Sequence, residues 1–176
     1  QHSDYAGRGV IEAIGIGIDF KDGDLALRGN FATLDNEGQI IDRRAGRKIE
    51  RDDAEKISKE IESEIEFSNP DTSVVVAPTI GHRIIVRLRG DKPLSSEITN
   101  TDPAYTRVDG MGIAKAVSDF MRIEKCIPME QTEDASNTAK LVNEFTEQTL
   151  EIMKKSDVNK QRAQKNKKLL NSILLR

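Results

Sequence analysis

Apolar and polar residues alternate between positions 24 and 34, and this is the clearest pattern in the chain. One side of the extended segment is mostly apolar, with Leu25, Leu27, Gly29 and Phe31. The other side carries two polar residues between small ones, namely Ala26, Arg28, Asn30 and Ala32. Asp35-Asn36-Glu37-Gly38 is a turn sequence in which Gly38 suits the left-handed position of a hairpin loop, and Gln39–Asp42 forms the return arm. The pattern predicts a β-hairpin within Asp24–Arg47.

Helical spacing and β-branched runs predict the remaining elements. A stripe of Ala54, Ile57, Ile61 and Ile65 after a cap at Asp52 or Asp53 predicts a helix to about Phe67. A cap at Thr132 or Asp134 predicts a longer helix to about Lys155. Strands are predicted at Ser73–Ala77, at Arg83–Arg89 and near Ile173, and short helices at Gly9–Ile18 and Asp157–Lys167. Within residues 108–129, Met111–Met121 is compatible with helix or irregular structure.

The order of these elements favours an α+β two-layer sandwich over a doubly wound sheet. We expect a mixed or antiparallel sheet with helices on one face, on a ferredoxin-like split βαβ plan with an added first strand. A length of 176 residues fits a single domain.

Composition excludes several classes of protein. There are 27 basic against 30 acidic residues, and this balance argues against a nucleic-acid partner. No apolar run approaches the length of a membrane span, so we expect no membrane partner. Cys126 is the single cysteine, which fits a reducing, cytoplasmic location. The basic run Lys154–Lys168 lacks interleaved aromatic residues, and we interpret it as a solvated helical face or as a surface facing another domain.

Four arginines in the hairpin segment are the main candidates for chemistry: Arg28, Arg43, Arg44 and Arg47. Arginine suits bidentate binding of carboxylate and phosphate, so a small, doubly anionic metabolite is the first ligand to consider. The alternative is a solvated edge hairpin whose arginines pair with Asp35, Asp42 or the acidic helix. Asp42 is interpreted as an orienter of a neighbouring arginine.

Other candidates are weaker. His82 and Arg83 lie between two strands and are candidate binding residues, whereas Asp102 belongs to a turn and is a candidate substrate or interdomain contact. A two-metal centre needs several histidines and aspartates, but His2 and His82 are the only histidines. With no metal motif and no activated nucleophile in the sequence, we expect neither a metal site nor a catalytic residue in this chain.

The sequence resembles the archaeal-type, 2,3-bisphosphoglycerate-independent phosphoglycerate mutases of the alkaline phosphatase superfamily. The resemblance rests on several motifs in the family's order: Arg28-Gly29-Asn30-Phe31-Ala32-Thr33, Asp42-Arg43-Arg44-Ala45-Gly46-Arg47, His82-Arg83, Leu88-Arg89-Gly90, Thr101-Asp102-Pro103 and Ile173-Leu174-Leu175-Arg176. It implies that residues 1–176 are the substrate-capping domain inserted into a larger two-domain metalloenzyme. The start at Gln1 and the apolar end at Arg176 fit that expectation.

The resemblance also implies a function for the whole protein. The family interconverts 3-phosphoglycerate and 2-phosphoglycerate, a glycolytic isomerase reaction, through a phosphoserine on a companion domain with divalent metal ions (Mn, Zn, Co or Mg). The expected partners are a small phosphorylated carboxylate and that companion domain. The expected binding residues are Arg28, Asn30, Asp42, Arg43, Arg44, Arg47, His82, Arg83 and Asp102. A related phosphohydrolase or phosphonate enzyme, and a non-catalytic binding or assembly paralogue, are the alternatives.

Overall fold

The computed structural model describes residues 4–108, 111–114 and 121–176. Its helices are α1 (Asp4–Gly15), α2 (Arg51–Glu64), α3 (Glu133–Lys154) and α4 (Asp157–Gln164). Its strands are β1 (Leu25–Leu34), β2 (Ile40–Asp42), β3 (Ser73–Pro78), β4 (Arg83–Arg89), β5 (Tyr105–Val108), β6 (Met111–Ala114) and β7 (Ser172–Leu175). None of the helices in these described ranges has the length and apolar character needed to cross a membrane.

The main sheet is antiparallel and is built around β1. Strand β4 pairs with residues 25–30 of β1, β7 pairs with residues 29–32, and β3 lies outside β4. The order β7-β1-β4-β3, with α2 and α3 as the two crossovers, is the split βαβ plan. The predicted α+β fold is therefore confirmed. The strand added to this plan is β2, which follows β1 in the chain and pairs with its end. The added strand was predicted to come first in the chain, and that prediction is wrong.

The two faces of the sheet carry cores of different size. The larger core lies between the sheet and helices α2 and α3, and its fully buried side chains include Phe31, Ile57 and Phe145. On the opposite face, α1 packs through Ala13 against Ala26 and Ile85. The expectation that all helices lie on one face is therefore wrong for α1. The period-two pattern of β1 explains this arrangement, because each face of the strand presents apolar residues to a helix.

Helix α1 approaches the sheet closely because it carries a glycine at the contact. A Cβ atom added to Gly9 would lie 2.4 Å from the backbone oxygen of Ala26. No side chain fits at that distance, so the close contact requires glycine. The helix begins at Asp4, earlier than its apolar pattern predicts.

Other boundaries lie within about three residues of the predicted ones: α2 ends at Glu64 and α4 at Gln164, against predictions of about Phe67 and Lys167. Thr132 caps α3 as expected, accepting a hydrogen bond from the Ala135 amide. Helix α2, however, begins after Glu50, which makes no side-chain cap, so the predicted caps Asp52 and Asp53 lie inside its first turn. Met111–Ala114 is a strand, and the helical alternative for this part of the 111–121 segment is wrong; residues 115–120 lie outside the described ranges.

The basic run Lys154–Lys168 is not uniformly solvated. Arg162 of α4 is 3% exposed, and its guanidinium lies 2.7 Å from a Glu50 carboxylate oxygen and 2.8 Å from one of Asp53. Its Nε also donates to the Lys168 carbonyl. The interpretation of this run as a solvated face is therefore wrong for Arg162, which ties α4 to the start of α2. These contacts also anchor Glu50 and Asp53, which follow the loop that carries Arg43, Arg44 and Arg47.

Candidate functional site

Eight side chains from different parts of the fold line one cleft of about 260 Å³. They are Asn30, Arg43, Arg44, Arg47, His82, Arg83, Tyr105 and Arg176. Five of the eight are arginines, and none is a carboxylate. The cleft therefore has a strongly positive lining, as expected of an anion site.

Strand pairing explains how the cleft forms. Asn30, in the middle of β1, pairs with Arg83 on β4 and with Leu174 on β7. The amide of Phe31 donates to the carbonyl of His82 at 2.8 Å, which brings the β3–β4 turn against β1. Paired residues in neighbouring strands project to the same face, so Asn30 and Arg83 lie side by side.

The loop after β2 carries three of the arginines and has an unusual backbone. Ala45, Gly46 and Arg47 have φ values of 45°, 83° and 67°, all in the left-handed region. Asp42 accepts hydrogen bonds from the amides of Arg44 (2.9 Å) and Gly46 (3.0 Å) and so closes the loop. Left-handed conformations at residues other than glycine store strain and occur often at functional sites. The Asp42 carboxylate therefore holds the loop conformation by accepting hydrogen bonds from backbone amides.

A buried carboxylate holds Arg43. Asp102 is 0% exposed and accepts from Arg43 Nη2 at 2.6 Å and from Nε at 3.3 Å. Burial disfavours the charged guanidinium, but the hydrogen bond and negative charge of Asp102 outweigh this effect and raise the pKa of Arg43. The guanidiniums of Arg43 and Arg176 lie 5.4 Å and 4.7 Å from the centroid of the Tyr105 ring. The aromatic ring thus contacts two cations that would otherwise repel each other.

Three other guanidiniums have no carboxylate partner among the described residues. Within the ranges 4–108, 111–114 and 121–176, no carboxylate lies within 4 Å of the charged groups of Arg44, Arg47 or Arg83. Partial burial, followed by the charges of neighbouring arginines, lowers the pKa of His82. The imidazole is therefore mostly neutral at neutral pH.

The structure brings together six of the nine predicted site residues, all except Arg28, Asp42 and Asp102. Arg28 does not line the cleft, because its Nε forms an ion pair with Glu12 of α1 at 3.1 Å. The carboxylate of Asp102 is 1% exposed, pairs with Arg43 and is not part of the cleft lining. The alternative pairing of the loop arginines with Asp35 or Asp42 is not observed in the described residues, because both carboxylates accept from backbone amides.

Tyr105 and Arg176 line the cleft but were not predicted as site residues. The amide of Arg176 donates to the carbonyl of Arg28, which places the end of β7 beside the polar face of β1. The sequence signal available for Arg176 is the final apolar run that ends in an arginine. Tyr105 follows the turn at Asp102, and no local pattern marks it.

Comparison with known proteins identifies the family. The model of the 2,3-bisphosphoglycerate-independent phosphoglycerate mutase family matches residues 1–159. The chain belongs to this family. The mutase of Saccharolobus islandicus is 35% identical over 175 residues, an alignment that covers 99% of this chain and 38% of the relative. Mutase 1 of Archaeoglobus fulgidus is 37% identical over 177 residues and is likewise covered over 38% of its length.

A solved structure of the family shares the fold. The cofactor-independent phosphoglycerate mutase of Thermoplasma acidophilum superposes with a TM-score of 0.77 at 30% sequence identity. The match covers 98% of this chain and 41% of the Thermoplasma chain. This chain therefore corresponds to well under half the length of these phosphoglycerate mutases.

The family resemblance implies metal ions, which need several ligating side chains close together. Among the described residues, no group of three or more His, Cys, Asp or Glu side chains is placed to hold a metal ion. The carboxylates of Asp42 and Asp102 accept hydrogen bonds from backbone amides and from Arg43, respectively. The residues that build the cleft thus suit an anionic ligand and do not fit a metal centre.

Proposed function

We propose that this chain is the substrate-binding domain inserted into a phosphoglycerate mutase that interconverts 3-phosphoglycerate and 2-phosphoglycerate. The observation that carries the proposal is the cleft of five arginines, in which none of the described lining residues carries a carboxylate side chain. The family's reaction requires one site to hold a phosphate and a carboxylate together. Guanidinium groups bind both anions through paired N–H donors.

Under this proposal, the arginines that have no carboxylate partner among the described residues and the arginine bound by Asp102 have different roles. Arg44, Arg47 and Arg83 have no carboxylate partner among the described residues, so they are free to bind the phosphate and carboxylate of the ligand. Arg43 is held by Asp102 and contacts Tyr105, so it offers a fixed positive charge and its remaining N–H groups. Phosphoryl transfer depends mainly on positioning and charge neutralisation, and these residues supply both.

The reacting groups belong to a companion domain under this proposal. That domain would carry the phosphoserine and the divalent metal ions, whose chemistry is to polarise the phosphoryl group. This chain would bind and orient the glycerate while it turns between its two phosphorylated forms. Closure over the companion domain would exclude water that would otherwise hydrolyse the phosphoenzyme.

The test compares Arg44→Ala with Arg51→Ala in the full-length protein. Arg51 is a matched control because it is exposed and pairs with Glu55 outside the cleft. We expect Arg44→Ala to raise the KM for 3-phosphoglycerate by about 10-fold or more, since charge-assisted hydrogen bonds are worth about 1.5–3 kcal/mol. Arg51→Ala is expected to leave KM unchanged.

Equal behaviour of the two variants would contradict a binding role for the cleft. The same assay separates the alternative activities, because a phosphohydrolase releases free phosphate instead of the isomer. A non-catalytic paralogue would give neither product.

A further inference from the structure

One turn of the chain contacts two arginines that reach the cleft from different strands. It comprises residues 101–105, and the carboxylate of its Asp102 accepts hydrogen bonds from Arg43. The ring of its Tyr105 lies within cation–π distance of Arg43 and Arg176, whose guanidinium carbons are 5.4 Å and 4.7 Å from the ring centroid. Arg43 follows β2 and Arg176 follows β7, so neither strand alone fixes the distance between the two guanidiniums.

The turn is itself attached to the end of β7. The amides of Thr101 and Asp102 both donate to the Leu175 carbonyl, at 3.0 Å and 3.1 Å. The Leu175 amide donates to the Thr101 hydroxyl at 2.9 Å. Thr101 and Asp102 are both 0% exposed, so these hydrogen bonds are shielded from water. Tyr105 therefore follows a buried support, whose position relative to Arg176 is set by hydrogen bonds.

The two arginines differ in what else holds them. Arg43 pairs with the Asp102 carboxylate at 2.6 Å. No carboxylate side chain of the described residues forms an ion pair with Arg176, and its Nε atom has no hydrogen-bond partner in that part of the chain. Since both guanidiniums lie near the same ring, they are no more than about 10 Å apart and repel each other. The ring attracts both cations and adds no negative charge to the cleft.

We propose that Tyr105 is a positioning residue, whose ring holds Arg43 and Arg176 together in the cleft so that both are in place before an anion binds. The inference deepens the proposed function and rests on it for the identity of the ligand, whereas the positioning involves protein groups only. A site arranged in advance binds more tightly, because fewer side chains are ordered on binding. Tyr105 acts through the two arginines and need not contact the ligand.

The experiment measures the affinity of the full-length protein for sulfate by isothermal titration calorimetry, and the KM and kcat with 3-phosphoglycerate. Tyr105→Leu removes the ring and should weaken sulfate binding by about 5-fold, as expected for the loss of cation–π contacts. Tyr105→Phe keeps the ring and should restore most of that affinity. With 3-phosphoglycerate, Tyr105→Leu should raise KM by a similar factor and change kcat by less than about two-fold, because the arginines bind the ligand without reacting.

Phe67→Leu is the matched control, because it also replaces an aromatic ring by leucine. Phe67 is partly buried, packs against the main core and is not among the residues that line the cleft. This variant should keep the sulfate affinity and the KM of the natural protein. If the loss in Tyr105→Leu came from general destabilisation, Phe67→Leu would show it as well.

A double variant tests whether Tyr105 acts through an arginine. Arg176→Met removes one of the two cations that the ring contacts. Adding Tyr105→Leu to Arg176→Met should therefore weaken sulfate binding by less than Tyr105→Leu does in the natural protein.

Three results would overturn the inference alone. Unchanged sulfate affinity in Tyr105→Leu would mean that the ring does not position the arginines. An equal loss in Tyr105→Phe and Tyr105→Leu would assign the effect to the hydroxyl and not to the ring. Fully additive losses in the double variant would mean that Tyr105 acts independently of Arg176.

Two other results concern the proposed function. If the full-length protein binds sulfate but does not interconvert the two phosphoglycerates, the proposed function fails while the sulfate measurements still decide the role of Tyr105. If the natural protein does not bind sulfate, the cleft is not an anion site and both proposals fail.

Discussion

The buried pair of Arg43 and Asp102 leads to a prediction about stability. Removing one partner of a buried ion pair costs about 3–5 kcal/mol, because the other charge is left unpaired. The two partners are not equally buried: the side chain of Asp102 is 1% exposed and that of Arg43 is 19% exposed. Arg43→Met leaves a carboxylate with no access to water and should cost about 4 kcal/mol. Asp102→Asn should cost about 2–3 kcal/mol, because the Arg43 guanidinium can turn toward water in the cleft.

The double variant makes the prediction sharper. Asp102→Asn keeps a carbonyl oxygen in place of the one that accepts from the Ala104 amide at 3.0 Å, so the substitution removes mainly the charge. Once Arg43 is replaced by Met, no guanidinium remains that requires the negative charge. We therefore expect the double variant to cost about 3 kcal/mol, well below the sum of the single costs. The single costs sum to about 6–7 kcal/mol, so the coupling free energy is about 3–4 kcal/mol.

The assay is equilibrium urea denaturation of the 176-residue chain at pH 7, followed by circular dichroism. A control double-mutant cycle uses Arg51 and Glu55, an exposed i,i+4 pair whose Nε and Oε1 atoms lie 2.8 Å apart. A coupling free energy of about 0.3–0.5 kcal/mol is expected for this pair. If the Arg43–Asp102 cycle gives coupling no larger than this control, Asp102 does not hold Arg43 and the reasoning fails.

Two further predictions concern the charge and backbone of the cleft. Arg47→Gly should raise the free energy of unfolding by about 1 kcal/mol, because Arg47 has a φ of 67°, and should weaken sulfate binding. Arg47→Ala should weaken sulfate binding without raising the free energy of unfolding. If urea denaturation shows that Arg47→Gly is destabilised, the backbone at Arg47 is not strained. Burial and the charges of neighbouring arginines lower the pKa of His82, and a bound dianion should raise it, so sulfate binding should take up protons and strengthen as the pH falls from neutral toward that pKa. Calorimetry in buffers of different ionisation enthalpy measures this uptake, and an unchanged signal in His82→Gln would assign it to another group.

Local patterns predicted the main sheet and its helices for physical reasons. The period-two run of β1 fixes which side chains face each layer, and it placed Asn30 on the polar face correctly. The start of α3 was predictable from the cap sequence at Thr132, whose hydroxyl accepts from a helix amide. The packing of α1 was missed because it depends on the contact of Gly9 with the Ala26 carbonyl, which periodicity does not record.

The cleft was only partly predictable because much of it forms across long distances in sequence. Arg44 and Arg47 are close in the chain, and their shared chemistry is visible in the sequence itself. The partner of Arg43 is 59 positions away, however, and Arg176 reaches the cleft only because β7 pairs with β1. Such pairings depend on topology, and a single sequence specifies topology only weakly.

The placement of the acidic residues explains how the cleft keeps its positive charge. Asp42 and Asp102 lie behind the cleft, where one binds backbone amides and the other binds Arg43. Their charges support the loop and one guanidinium without entering the cleft lining. Among the described residues, no carboxylate then offsets the mutual repulsion of Arg44, Arg47 and Arg83. An anion that binds there relieves the repulsion directly, so it should stabilise the fold in proportion to its occupancy, as linkage requires for any ligand that binds only the native state.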